Sequence, residues 1–270
     1  MTTEKMKELF KSGAYDELLM DIYLDENKLA YQKQRYVAAI EQYEALYGAD
    51  DVFIYSAPGR SEIGGNHTDH QNGEVLAASV NLDAIAIVKP IEENTVKVVS
   101  GDYPLITVSL DDLEQKDSEK ETTLSLIKGV LAGIKNHGGK LGGFQTYITS
   151  DVLIGAGLSS SAAFETIIGT IVSGLYNDMK ISAVDIAIIG QYAENVYFGK
   201  PCGLMDQTAC SVGNLVHIDF ADKKNPVIEG VSCDLGKYGY SLCITDTKGS
   251  HADLTADYAL SLIHISEPTR

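Results

Sequence analysis

Val152-Leu153-Ile154-Gly155-Ala156-Gly157-Leu158-Ser159-Ser160-Ser161-Ala162-Ala163-Phe164-Glu165 joins an apolar run to glycines and then to serines and alanines. It reads as the apolar end of a strand, a tight glycine loop and a helix that opens on serines. Glycine lets backbone approach a ligand closely and reach φ/ψ values closed to other residues. Serines can cap the helix, whose first turn leaves amide N–H groups without intrahelical partners. Such groups at the positive end of a helix dipole form an anion site, so the stretch is expected to hold phosphate. It is not a Walker A loop, since no Gly-x-x-x-x-Gly-Lys-[Ser/Thr] is present, nor a dinucleotide fingerprint, since Ser160 stands where the third glycine belongs. The plainer reading is a close-packed strand-to-helix turn. Ala162 and Ala163 behind the serines leave room for something bulky and favour the ligand.

The 270 residues carry a formal net charge of −17, with a pI near 4.6. That field repels nucleic acid and anionic membrane, so neither is an expected partner. A phosphate site here must be locally electropositive, through helix-end N–H groups, a metal ion or a buried arginine. Cys202, Cys210, Cys233 and Cys243 show no Cys-x-x-Cys spacing, which reads as ordinary thiols in a reducing cytoplasm. No run of apolar residues approaches membrane-spanning length.

Working back to the N-terminus, residues 1–50 read as a helical extension, with Tyr36, Ile40, Tyr43 and Tyr47 at helical spacing before Gly48. Val52 to Ser56 reads as a short strand broken by Ala57-Pro58-Gly59, and Arg60 to His70 as a polar loop. Val80 to Val88 and Thr95 to Ser100 read as a hairpin around a Glu-Glu-Asn turn. Leu124 to Ile134 is an amphipathic helix stopped at Gly138-Gly139, and Phe144 to Ile148 a strand leading into the loop. The helix beyond the loop runs to about Tyr176. Ser182-x-x-Asp185 has the form of a capping box for a further helix, which Gly199-Lys200-Pro201 ends. Leu215 to Asp219 and Tyr240 to Asp246 read as strands. Irregular alternation of strands and helices predicts an α+β fold with a mixed or antiparallel sheet.

Three groups of residues carry chemistry. Asp206, between Met205 and Gln207, is expected to be half buried and to need a partner, for which Arg60 is the candidate. An ionised Asp beside a hydroxyl is a general base; a plain Arg–Asp bridge joining two segments is the rival reading. Glu194 and the run Ser159 to Ser161 suggest Mg²⁺, which takes oxygen ligands from protein and nucleotide phosphates. An exposed helical glutamate is the alternative for Glu194. His67 and His70, flanking Asp69, invite a zinc reading, but no third ligand lies at a telling spacing, and hydrogen bonding to a polyhydroxylated ligand suits the set better.

At these residues the sequence resembles the GHMP small-molecule kinases and, within them, the galactokinase family. Gly59-Arg60-Ser-Glu-Ile-Gly-Gly65-Asn-His67-Thr68-Asp69-His70 is similar to the family signature Gly-Arg-Val-Asn-Leu-Ile-Gly-Glu-His-Thr-Asp-Tyr. Gly155 to Ala163 resembles the ATP loop, and Ala193-Glu194 with Cys202-Gly-Leu-Met-Asp206-Gln207 resembles the segment bearing the catalytic Asp. The resemblance covers roughly residues 50 to 260. It implies a GHMP-kinase-like N-terminal domain over 51–235 with mixed sheet and helices, and the start of a C-terminal domain over 236–270. It also implies a cytoplasmic, monomeric enzyme of galactose metabolism that uses ATP and Mg²⁺ to phosphorylate a sugar at its anomeric hydroxyl. On that resemblance Asp206 is the catalytic carboxylate and Arg60 its partner. Gly155, Ala156, Gly157, Leu158, Ser159, Ser160 and Ser161 hold ATP, and Ser160 with Glu194 holds the metal. Asn66, His67, Asp69 and Tyr258 contact the sugar.

The chain departs from the signature at Glu62 (Asn in the family), Gly64 (Ile), Asn66 (Glu) and His70 (Tyr). The family's Glu helps hold a far hydroxyl of the sugar, so its replacement by Asn66 admits another hexose, or a uronic acid such as galacturonate, beside galactose. A non-catalytic sugar- and ATP-binding sensor is a further reading, against which the intact Ser161-Ala162 weighs. The third glycine-rich motif of the family is absent. The chain is therefore expected to be truncated, its last ten or so residues non-native, and the fragment poorly soluble or inactive.

Overall fold

The computed structural model describes residues 1–153, 155–222, 225–233 and 235–245, with the side chain of His70 left out. Three helices come first: α1 (Thr3–Ser12), α2 (Asp16–Tyr23) and α3 (Leu29–Tyr47). Along α3 the buried residues are Gln32, Arg35, Tyr36, Ala39, Ile40 and Tyr43, a stripe at three- and four-residue spacing. Gly48 ends the helix at φ 84°.

Seven strands form one mixed sheet: β1 (Phe53–Gly64), β2 (Glu74–Pro90), β3 (Thr95–Ser100), β4 (Ile106–Ser109), β5 (Phe144–Ser150), β6 (Leu215–Asp219) and β7 (Val227–Val231). The order is β4-β3-β5-β2-β6-β7, with β1 also paired to β2. Among the described residues only β3 and β5 pair in parallel. The long β2 organises the sheet. One edge carries β1, and the other is shared by β6 along Glu74–Ala78 and by β5 along Ala84–Pro90.

Four helices pack beside the sheet: α4 (Thr123–Asn136), α5 (Ser160–Tyr176), α6 (Ala183–Tyr192) and α7 (Met205–Val212). Side chains alternate along β2. Ala84, Ala86 and Val88 join Ile127, Leu131, Ile167 and Ile171 in one cluster, while Ile85 and Ile87 join Phe10, Tyr36 and Ile40 in another. Both faces are covered, which is why this stretch is continuously apolar rather than alternating. Among the described residues no helix is long and apolar enough to cross a membrane.

Several expectations are corrected. Strand β1 does not stop at Ala57-Pro58-Gly59 but runs on to Gly64, so Arg60 and Glu62 lie on a strand and not in a loop. It survives Pro58 because Val80 to Leu82 of β2 bulge opposite Gly59, where the register shifts from Pro58–Asp83 to Arg60–Ser79. Strands β2 and β3 form no hairpin; β5 lies between them and bonds to both. No strand forms over 240–245, and Asp246 lies outside the described residues. Helix α7 and strand β7 were not foreseen. The capping box of Ser182 and Asp185 is present at the start of α6. Beyond α6 the chain widens into a π-helical turn, Ala193–Phe198, closed by Gly199 in the left-handed conformation.

Candidate active site

The site forms where β1, the glycine loop and α7 meet. Gly59 lies against the loop: a Cβ there would stand 2.8 Å from Leu158 O and 2.9 Å from a Val152 methyl. The Arg60 N–H donates to Leu158 O at 3.1 Å, which fixes the loop to the strand. Met205 and Ala209 of α7 are buried against β2 and β6. This anchoring turns Asp206, in the first turn, toward Arg60.

Arg60 grips Asp206 with two parallel bonds, Nε to Oδ1 and Nη2 to Oδ2, each 2.8 Å. This is the fork geometry that suits guanidinium and carboxylate. Its remaining nitrogen, Nη1, donates to Gly157 O at 2.7 Å. The Arg thus ties the carboxylate to the glycine loop. Ser159 stands at the N-cap position of α5 but makes no side-chain cap; its hydroxyl instead donates to Asp206 Oδ2 at 2.5 Å. Its backbone is left-handed, φ 56°, a conformation that costs free energy in a non-glycine residue and recurs at functional sites. Gly155 and Gly157 are left-handed beside it, at 75° and 73°. The Ala163 N–H closes the first intrahelical bond of α5, onto Ser159 O. The N–H groups of the preceding turn therefore point out of the helix toward the loop.

Burial acts to raise the pKa of Asp206, but the Arg60 charge and its hydrogen bonds outweigh it, with Ser159 and His67 adding, so the carboxyl sits below its ordinary value. Its side chain keeps 31% of its surface exposed, so one edge of an ionised carboxylate remains open.

A second group lies behind the loop. Glu194, in the π-helical turn, is 3% exposed. It accepts from Ser161 Oγ at 3.2 Å and Gln207 Nε2 at 2.8 Å, and pairs with Lys200 Nζ at 3.3 Å. The hydroxyl that donates to Glu194 is that of Ser161, next to the Ser160 expected to share a metal with Glu194. A buried carboxylate and a hydroxyl at the mouth of an anion loop are hard oxygen donors, and the set fits Mg²⁺ shared with phosphate oxygens. Among the described residues no cluster of three or more His, Cys, Asp or Glu is placed to hold a metal unaided.

Gln207 also donates to Glu165 Oε2 at 3.2 Å. Glu165 is 1% exposed, and burial, then the Glu194 charge, push its pKa well above the usual carboxylate range. Sequence reasoning missed both Glu165 and the bridging role of Gln207. The signal for Glu165 was a lone carboxylate amid the apolar residues of α5.

The third group is the loop after β1. Asn66 is exposed, His67 half-buried and Asp69 buried. Asn66 and His67 both adopt positive φ, 58° and 51°. Asp69 presses on the segment before α7: a Cβ on Gly203 would stand 1.5 Å from Asp69 Oδ2. Tyr258 lies outside the described residues.

Two family profiles match the chain: the GHMP kinases N terminal domain over residues 125–214 and the galactokinase galactose-binding signature over 41–90. Over residues 125–214 the chain carries a GHMP kinase N-terminal domain. Its sequence is 31% identical over 218 residues to a galactokinase of Streptomyces coelicolor, across 81% of this chain and 56% of that protein. A galactokinase of Clostridium tetani is 29% identical over 232 residues, across 83% and 59%. The chain thus spans about half the length of the curated relatives it matches. Its fold is similar to the crystal structure of Lactococcus lactis galactokinase complexed with galactose, at a TM-score of 0.65 and 24% identity over 85% of this chain and 62% of that one.

Proposed function

We propose that this chain carries the catalytic groups of an ATP-dependent sugar 1-kinase of galactokinase type, with Asp206 as the catalytic carboxylate. The observation that carries the reading is the Arg60–Asp206 pair, bonded through Gly157 and Ser159 to the anion loop. In the reaction the anomeric hydroxyl of the sugar attacks the γ-phosphorus of ATP. The new O–P bond forms as the bond to ADP breaks, and the hydroxyl proton passes to Asp206. A carboxylate held below its ordinary pKa is a weak base. That suits a loose phosphoryl-transfer transition state, in which positioning and charge stabilisation matter more than proton abstraction. Arg60 and Ser159 occupy three of the roughly four lone-pair directions of the carboxylate, leaving the open edge to orient the hydroxyl.

The N–H groups of Ser160 and Ser161 and the flexible backbone of Gly155 to Gly157 suit the phosphates of ATP. Mg²⁺ held by Glu194 and Ser161, with Ser160 adjacent, would neutralise phosphate charge. His67 and Asp69 suit hydroxyls of the sugar.

The test is ADP release by the complete gene product over a panel of hexoses and hexuronates. Release with a hexose, falling about 10² to 10⁴-fold in Asp206→Asn, is the expected result. An undiminished rate in that variant would overturn the mechanism. Sugar and ATP binding without turnover in the unaltered protein would make it a sensor instead.

A further inference from the structure

Positions 62 and 66 have exchanged residue types relative to the family signature, which carries Asn at the first and Glu at the second; this chain has Glu62 and Asn66. The structure gives the exchange a physical content. Arg60 and Glu62 are two apart on β1, in unbroken register with Ser79 and Ala77, so their side chains leave the same face of the strand. That is the face Arg60 turns to Asp206. Between Glu62 and Gly64 the residue Ile63 is extra, a bulge of the kind that re-aims chain and side chains beside sites. The following loop folds back over Glu62. The His67 N–H donates to Glu62 Oε1 at 3.0 Å, and His67 Nε2 lies 3.6 Å from Oε2. The same His67 is close enough to Asp206 to help hold it ionised. Glu62, His67 and Asp206 are thus consecutive groups along one wall. The Glu62 side chain is only 15% exposed, whereas Asn66 is exposed.

We propose that Glu62 supplies, from the strand, the acidic group of the sugar pocket that position 66 lacks, and that it selects neutral hexoses against hexuronates. The inference rests on the sugar-kinase reading above and deepens it. Glu62 and the buried Asp69 bring two carboxylates to the same loop, and Asp206 adds a third beside it. A carboxylate accepts hydrogen bonds from sugar hydroxyls, which a neutral hexopyranose offers at every carbon but C5. A hexuronate replaces one of these with a further negative charge. The guanidinium nearest the loop is already bonded bidentately to Asp206, and the half-buried His67 stands against Glu62 itself. Like charges juxtaposed in a partly dry cleft repel strongly.

Calorimetric titration of galactose and galacturonate into the protein, its Glu62→Gln variant and the reciprocal Glu62→Asn/Asn66→Glu double variant tests the proposal, with ADP release by the complete gene product measured in parallel. The protein is expected to prefer the neutral sugar by about tenfold or more, and Glu62→Gln to shrink that preference by about as much. The double variant is expected to restore it, which a loss of folding at position 62 would not allow. A preference unchanged within about twofold in a Glu62→Gln protein that melts normally would overturn the inference, as would a parent protein that prefers galacturonate or binds neither sugar. Absence of ADP release while binding preference still follows Glu62 would remove the kinase reading and leave the specificity assignment standing.

Discussion

At the scale of single residues, the site is held by close contacts that tolerate no added atom. Gly203 is the sharpest case, because a β-carbon there would overlap Asp69 Oδ2 at 1.5 Å, and the carboxylate belongs to a buried residue. Gly203→Ala is therefore expected to displace Asp69 and weaken sugar binding by about tenfold or more, with ATP affinity nearly unchanged. Separate titrations of the two ligands check it, and an equal loss for both would show that the whole segment had moved. Asp206 makes a prediction in pH. Its carboxyl ionises at a lower pH folded than in the unfolded chain, where the value is about 3.9. The stability it contributes is thus complete above about pH 4 and is lost as the pH falls through the lowered folded value. Asp206→Asn should melt lower than the parent at neutral pH, and the gap should narrow below about pH 4. A constant gap across that range would sink the assignment.

The pairing of Arg60 with Asp206 was legible in the sequence because each stood in a stretch dense with glycine and functional groups, and a half-buried carboxylate demands a partner. Glu62 is harder, because Ala57-Pro58-Gly59 reads as a strand end although β1 runs on to Gly64. The bond from Ser161 to Glu194 is harder still, since nothing in the run Ser159 to Ser161 says which hydroxyl meets a carboxylate 33 positions on.

At the scale of elements, one buried polar knot joins the N-terminal helices to the root of the anion loop. Arg35 of α3 donates from Nη1 to Asp83 Oδ1 at 2.6 Å and from Nη2 to Asp83 O at 2.7 Å. Its Nη1 also lies 3.4 Å from Asp151 Oδ2, just before Val152. Tyr23 and Ser56 donate to the other Asp83 oxygen. Both charged side chains are almost wholly buried, at 6% and 4% exposure. Removing one partner of such a pair strands the other. Arg35→Met is expected to cost about 3–5 kcal/mol, roughly 6–20 °C in melting temperature. Arg35→Met with Asp83→Asn should recover much of it. A loss under about 1 kcal/mol in the single variant would mean that the pair behaves as a surface bridge.

Nothing in the local sequence flags this knot, since Arg35 and Asp83 are 48 residues apart and each reads as an ordinary helix or strand residue. The helices were legible because their stops and caps are local: Gly48, Gly138-Gly139, Ser182 with Asp185, and Gly199. Strand pairing is not local. Adjacency in sequence suggests a β2–β3 hairpin, but β5, more than forty residues on, lies between the two.

At the scale of the whole molecule, charge opposes the substrate proposed for the site. The chain carries −17, yet on the proposed reading its loop takes up a polyphosphate. The cations nearest the loop are already paired, Arg60 with Asp206 and Lys200 with Glu194. Attraction for phosphate is therefore short-ranged, from helix-end N–H groups and Mg²⁺, while the long-range field is repulsive. Salt shortens that field from about 30 Å at 0.01 M to about 8 Å at 0.15 M and leaves hydrogen bonds in contact nearly untouched. ATP affinity, at fixed free Mg²⁺, should therefore tighten by roughly two- to tenfold over this range, the reverse of the usual weakening at a cationic site. A neutral hexose feels no such field, and its affinity should stay level across the same series. Calorimetry with each ligand separates the two. ATP binding that weakens steadily with salt would show that a positive patch outside the paired groups governs its approach.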